Sequence, residues 1–364
     1  MNHNALITED VNEVLQNTSA ELKRLEGKTI LMSGGAGFLG SYIVATLLAA
    51  NKKLFRTPCR VIVLDNYITG SRKNSIFDAS DPNFQFIEHN VCLPLPEHLT
   101  ADYVIHAAGL ASPYYYRKFP LETIDVTVNG TKNFLEFFKD KKIKGLLYFS
   151  SSEIYGDPHP DFIPTPEEYW GHVSCTGPRA CYDESKRLGE TLCKTYFELF
   201  GLPVKVVRPF NVYGPGMKVN DFRVIPTFTV NLLGGNALLV HDKGTQTRTF
   251  CYITDAIQGF LKTLVSGRPG ETYNIGMDNE EVDMMTLANT LAKLHSREAE
   301  VRLASYPESY PAAEPKRRCP DITKARTELN FKPRVDLKTG LARTMSWYRT
   351  VLGETPDEPT VSMV

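Results

Sequence analysis

The sequence predicts an α/β fold: a doubly wound parallel sheet with a smaller C-terminal α/β lobe. Three observations predict it. Short β-rich apolar runs alternate with helical patterns over the first 210 residues, as in a parallel sheet clothed by helices on both faces. A glycine-rich turn, Gly34-Gly35-Ala36-Gly37-Phe38-Leu39-Gly40, joins the first such run to the first such helix. Beyond about residue 211 the alternation stops, Pro and Gly recur, and the helical stretches shorten.

At the start of the chain, residues 9–26 place Val11, Leu15, Thr18, Leu22 and Leu25 at helical spacing with acids and lysines between them. They are expected to form an added amphipathic helix, packed on the body or on a partner subunit. Strands are expected at 29–33, 60–64, 84–88, 103–106, 145–150 and 203–207, and helices at 38–50, 120–139 and 181–200. Ile124, Val128, Leu135 and Phe138 read as one apolar stripe, and Leu188, Leu192, Tyr196 and Leu199 as another, with Gly201 as a stop. Shorter helices are expected at 255–265, 284–295 and 337–352. The implied organisation is a helical extension at 1–26 and a dinucleotide-binding domain of Rossmann type at 27–210, to which some later segments return. A mainly substrate-binding lobe at 211–352 sits over the carboxyl ends of the strands, with a flexible tail at 353–364.

Bulk properties narrow the function. The 364 residues, 42% hydrophobic and 23% charged, suit a globular enzyme. A net charge of −1 gives no footprint for nucleic acid or a membrane surface. No apolar run reaches the roughly 18 residues that span a bilayer, and no signal peptide is visible. The seven cysteines have no CxxC spacing and no histidine pairing, so reduced thiols, no metal and a cytoplasmic setting are expected.

Three motifs carry chemistry. Gly34, Gly37 and Gly40 stand where a strand turns into a helix and the backbone approaches a pyrophosphate at the helix N-terminus. Asp65, at the end of the next strand run, suits a ribose-binding carboxylate, and an acid there favours NAD over NADP. Tyr182 and Lys186 lie four residues apart on one helix face. A nearby ammonium is expected to lower the phenol's pKa, so that it takes a proton from a hydroxyl. The run Phe149-Ser150-Ser151-Ser152-Glu153-Ile154-Tyr155-Gly156 ends a strand and adds hydroxyls and a carboxyl.

Together these motifs resemble the extended short-chain dehydrogenase/reductases that act on nucleotide sugars, over about residues 27–350. Tyr169-Trp170-Gly171-His172-Val173, Gly177-Pro178-Arg179-Ala180-Cys181-Tyr182-Asp183-Glu184, Asn220-Asp221-Phe222-Arg223-Val224 and Gln246-Thr247-Arg248-Thr249-Phe250-Cys251-Tyr252 are similar to the UDP-glucuronate decarboxylases. Thr249-Phe250 after the arginine favours that group over the related 4-epimerases and 4,6-dehydratases, which remain the alternative.

The resemblance implies roles. Gly34, Gly37, Phe38, Leu39, Gly40, Asp65, Asn66, Asn90, Val91, Ala107, Ala108 and Asn129 would hold NAD. Tyr182 is the base and Lys186 its partner, which also touches the nicotinamide ribose. Ser151 and Ser152 bind the sugar, and Glu153 assists protonation at C5. Asn211, Arg223, Arg248 and Arg318 contact substrate, Arg248 near a carboxylate or phosphate and Arg318 at the diphosphate. A homodimer through helices 120–139 and 181–200 is also implied. The chain departs from the pattern at Gly216, where an arginine is usual, at Asn90, where Asp is common, and in the run Tyr114-Tyr115-Tyr116. The N-terminal helix is an addition.

Overall fold

The computed structural model describes residues 3–70, 76–295, 299–306 and 314–354. Most of the tail expected at 353–364, and part of the proline-rich loop before Arg317, lie outside the described residues.

Among the described residues the main sheet has seven parallel strands. They are β1 (Thr29–Ser33), β2 (Arg60–Asp65), β3 (Phe84–Glu88), β4 (Tyr103–His106), β5 (Gly145–Phe149), β6 (Val204–Pro209) and the Thr272–Ile275 strand. Their spatial order is Thr272–Ile275, β6, β5, β4, β1, β2, β3. The chain leaves β1 toward β2 and β3, then returns to β4 on the other side. The strand order therefore reverses between β1 and β4, and a crevice opens at their carboxyl ends. The central strands read as unbroken apolar runs because both faces are covered. Ile30 and Met32 enter one core with the Phe38–Lys53 and Ile253–Ser266 helices. Leu31 enters the other, with Phe134, Leu135 and Phe138 and with Cys193 and Tyr196 of the Ala180–Phe200 helix.

The Ile253–Ser266 helix and the Thr272–Ile275 strand, both past residue 211, return to the sheet. The rest of that region forms small sheets above it: Val212–Tyr213 with Cys251–Tyr252, Thr247–Arg248 with Val282–Asp283 and Arg317–Arg318, and Leu238–His241 with Val301–Ala304.

Three expectations need correction. The N-terminal helix begins at His3, runs to Asn17 and breaks at buried Thr18, whose hydroxyl bonds the Val14 carbonyl at 2.6 Å. A short helix, Ser19–Leu22, and a 3₁₀ turn, Lys23–Leu25, complete it. Val11, Leu15, Thr18, Leu22 and Leu25 are buried against the body of the same chain.

The apolar stripe over 120–139 is not one face. A π-helical turn at Val126–Gly130 divides Pro120–Asp125 from Thr131–Phe138. Its wider turn rotates the second segment relative to the first. Leu135 and Phe138 are buried, whereas Ile124 is exposed.

The apolar stripe of Ala180–Phe200 is split: Tyr196 is buried and Leu192 packs on the same core, while its other two members face outward. Leu188 is 45% and Leu199 70% exposed, and the inward face carries Tyr182, Asp183, Ser185, Lys186, Gly189 and Cys193.

Candidate active site

The glycine turn is sterically fixed. Gly34 leaves β1 at φ +75°, and a Cβ there would lie 2.7 Å from the Ala107 carbonyl and the Ala108 nitrogen at the end of β4. At Gly40 a Cβ would lie 2.2 Å from the Gly34 carbonyl oxygen. Gly37 caps the Phe38–Lys53 helix without a side-chain bond, which leaves backbone N–H groups at its N-terminus. Asp65 ties this turn to β2: its carboxylate accepts from the Ala36 N–H at 3.0 Å and the Tyr67 N–H at 2.9 Å.

Gly34, Gly37, Asp65, Asn66, Asn90, Val91, Ala107 and Ala108 line one cleft above β1 and β4. Its close backbone approach and terminal acid fit a dinucleotide. The side chains of Phe38 and Leu39 pack into the core, so their backbone is what faces the turn. Asn129 sits on the π turn and donates at 2.5 Å to Asp125, which itself lines the cleft.

The second half of the site lies just beyond β5. The Ser151 hydroxyl accepts from the Glu153 N–H at 3.2 Å, and Ser152 opens a 3₁₀ turn to Tyr155. Beneath it lies a polar network. Ser150 donates to Glu190, Arg208 grips the same carboxylate at 2.6 and 2.8 Å, and the Tyr155 hydroxyl bridges Arg208 to Asn274. These residues hold the Ser150–Tyr155 segment, and nothing in their spacing along the chain announces it.

Tyr182 is buried and stacks on Tyr116, with ring centroids 5.1 Å apart. Lys186 gives its ammonium to the Phe149 carbonyl at 2.7 Å and lies 5.8 Å from the Tyr182 ring centroid. It also stands beside Gly109, which lines the cofactor cleft, so it joins the two halves of the site. The expected lowering of the phenol by the ammonium is not what this state shows. Burial pushes Tyr182 up to about 12, against a smaller opposing pull from a hydrogen bond with Ser151. Burial also pushes Lys186 down to about 8. Burial penalises the charged form of each group.

The charged residues form a cluster that sequence spacing did not reveal. Glu153 is gripped by Arg318 at 2.5 and 2.7 Å and by Arg179. Burial works to raise its carboxyl, but Arg179 and Arg318 overcome that and hold it below the ordinary carboxylate range. Arg318, which the resemblance implies at the diphosphate, pairs here with Glu153.

Arg248 pairs in register with Arg318 across two short strands. It donates to Glu314 at 3.1 Å and to the Pro315 and Thr247 carbonyls at 2.7 Å each. It lies close enough to Glu153 to favour that charge. Arg223 grips Asp221 at 2.5 and 2.8 Å and stands within electrostatic range of Tyr182. Asn211, at φ +40°, donates to the Thr249 carbonyl at 2.8 Å and braces the arginine-bearing strand.

Arg179 and Asp183, missed as site residues, stand one turn apart at the start of the Ala180–Phe200 helix. No helical spacing marks them, because Arg179 precedes the helix and Asp183 is next to Tyr182 rather than three or four residues from it.

Residues 30–276 match the model of the NAD dependent epimerase/dehydratase family. UDP-glucuronic acid decarboxylase 5 of Arabidopsis thaliana is 40% identical over 89% of this chain and 90% of its own length. UDP-glucuronic acid decarboxylase 1 of Xenopus tropicalis is 38% identical over 91% of this chain and 74% of its own. Among solved structures, UDP-glucuronic acid 4-epimerase of Bacillus cereus, in complex with UDP-glucuronic acid and NAD, superposes with a TM-score of 0.74. It is 27% identical and covers 89% of this chain and 99% of its own.

Proposed function

Because the chain belongs to the NAD dependent epimerase/dehydratase family, we propose that it decarboxylates UDP-glucuronate to UDP-xylose. What carries the reading is the placement of Tyr182 and Ser151 beside an arginine-held Glu153, in a chain whose similar relatives are decarboxylases.

Bound NAD supplies a hydride acceptor and donor at sugar C4. Gly34, Gly37, Asp65 and Ala107 would hold it, with Lys186 reaching toward it past Gly109. Tyr182 takes the hydroxyl proton, and the Ser151 hydroxyl fixes the direction of transfer. A ketone at C4 makes the sugar a β-keto acid, with its carboxylate on C5, the carbon next to the carbonyl. The C–C bond then breaks with its electrons drawn into the carbonyl, and no metal sink is required. Arg248 and Arg318 bring positive charge to the side of the site that holds Glu153. They suit a carboxylated sugar and a diphosphate.

The same chain pairs as a homodimer through Pro120–Phe138 and Ala180–Phe200. In support, Leu121, Ile124, Leu188 and Leu199 leave large apolar side chains on the outer surface of those packed helices. The proposed setting is cytoplasmic, which suits seven free thiols.

Incubating the purified protein with UDP-glucuronate and NAD⁺ tests the activity. CO₂ and a pentose nucleotide are expected. UDP-galacturonate without CO₂ would instead make it a 4-epimerase.

A further inference from the structure

We propose that Phe222 and Tyr114 form an aromatic seam that retains the ketone intermediate, so that Phe222 decides whether the chain releases a finished pentose or an unfinished one. The inference rests on the decarboxylase reading. Cleavage releases the carboxylate as CO₂ and, once C5 has taken a proton, leaves a 4-keto pentose beside NADH. The sugar has then lost the charge that Arg248 and Arg318 attract, and only the nucleotide still carries charge. Escape at this point strands the hydride on the cofactor. Shape rather than charge must therefore keep the ring in place until hydride returns to C4.

The structure builds such a cover from two distant segments. One follows β4: Gly109 and Leu110 line the cofactor cleft, and the Pro113–Lys118 helix comes next. The other is Asp221-Phe222-Arg223, which leads into the Val224–Leu233 helix. The Ser112 hydroxyl donates to the Asp221 carbonyl at 2.7 Å. Beside that bond the Tyr114 ring meets the Phe222 ring, with centroids 4.3 Å apart. Both segments border Tyr182. Tyr116 stacks on it, and Tyr115 packs on the same cluster with Leu110. Arg223, held by the Asp221 carboxylate, stands within electrostatic range of it. The three consecutive tyrosines thus reach from the reacting phenol out to the seam.

The backbone supports the assignment. Phe222 holds φ +65°. A residue with a Cβ adopts that conformation at a cost that glycine avoids, and such strain gathers at functional sites. Tyr114 is 43% exposed and Phe222 half-buried, so the pair lies at the rim of the site with solvent beyond. Because it joins separate stretches of chain, the seam can part to admit substrate and re-form over it.

Phe222→Gly removes the ring and suits the backbone. NAD-loaded enzyme is given UDP-glucuronate, and CO₂, pentose nucleotide, free 4-keto pentose nucleotide (by mass spectrometry) and NADH absorbance are followed together. In the wild type, CO₂ and UDP-xylose should match one to one. In Phe222→Gly the share of turnovers ending as free ketone should rise by about tenfold, the worth of one aromatic contact. One NADH should remain for each ketone released. Phe222→Tyr keeps a ring at the same place and should restore the wild-type share. Tyr114→Ala removes a partly exposed ring from the other flank and should leak as Phe222→Gly does. If CO₂ and pentose still match in both Phe222→Gly and Tyr114→Ala, at whatever rate, the proposal is overturned. If the wild type releases no CO₂ at all, the decarboxylase reading fails first and takes this one with it.

Discussion

Tyr182 carries the most specific expectation. Tyr182→Phe should lower turnover by about 10²–10⁴-fold with unchanged circular dichroism, because the hydroxyl it loses is bonded to Ser151 and anchors no other element. Glu153 is a structural anchor as well. Glu153→Ala strands two buried guanidinium groups, so urea unfolding at neutral pH should show a loss of about 3 kcal/mol. Its pH dependence has a definite sign. A carboxyl depressed in the folded state stabilises above its unfolded pKa, and that contribution fades as pH falls below about 4.5 toward the folded value. Acidification should therefore narrow the gap between wild type and variant. At this scale much of the site was legible. Gly34, Asp65, Tyr182 and Lys186 announce themselves by spacing, since their partners are near in sequence or fixed by the fold. Arg179, Asp183 and the pairing of Arg318 with Glu153 were not legible. An ion pair 165 residues apart in the chain leaves no local pattern.

Elements were legible where one period governs them. The parallel strands are apolar throughout because both faces are buried, and β1, β3 and β4 fall where the sequence puts them. The stripes over 120–139 and 181–200 misled for physical reasons. A π turn shifts the first, and a buried polar face takes the place of part of the second. The N-terminal helix is amphipathic as its spacing predicts, but its anchor is not apolar. Asp10 accepts hydrogen bonds from Tyr42 at 3.1 Å and from Tyr252 at 2.9 Å, with Arg343 3.5 Å away. Burial drives its carboxyl up to about 7, against the pull of both phenols and of Arg343. The folded state therefore keeps a proton that the unfolded chain has lost, and stability should fall as pH rises from about 4 to about 7. Asp10→Asn should flatten that fall in thermal unfolding measured at several pH values.

At the scale of the whole molecule, the sheet order puts the cofactor cleft at the β1–β4 reversal and the Ala180–Phe200 helix beside β5 and β6. Fold class and crevice were legible in the strand–helix alternation. A return of later segments to this domain was expected, but the Thr272–Ile275 strand at the sheet edge was not, because four residues of strand carry little pattern. The outward side chains of Leu121, Ile124, Leu188 and Leu199 bear on assembly. Replacing Leu121 and Leu188 with Glu should convert the proposed dimer to monomers in sedimentation velocity while leaving the fold intact.

The N-terminal helix has a mechanical consequence. Its Glu13 meets Arg343 of the Leu337–Glu354 helix at 2.8 Å, so the first and last described helices are clasped together. Tension applied between the two ends enters at that buckle, which opens by peeling one contact after another. The parallel strands bear load only once it has given way.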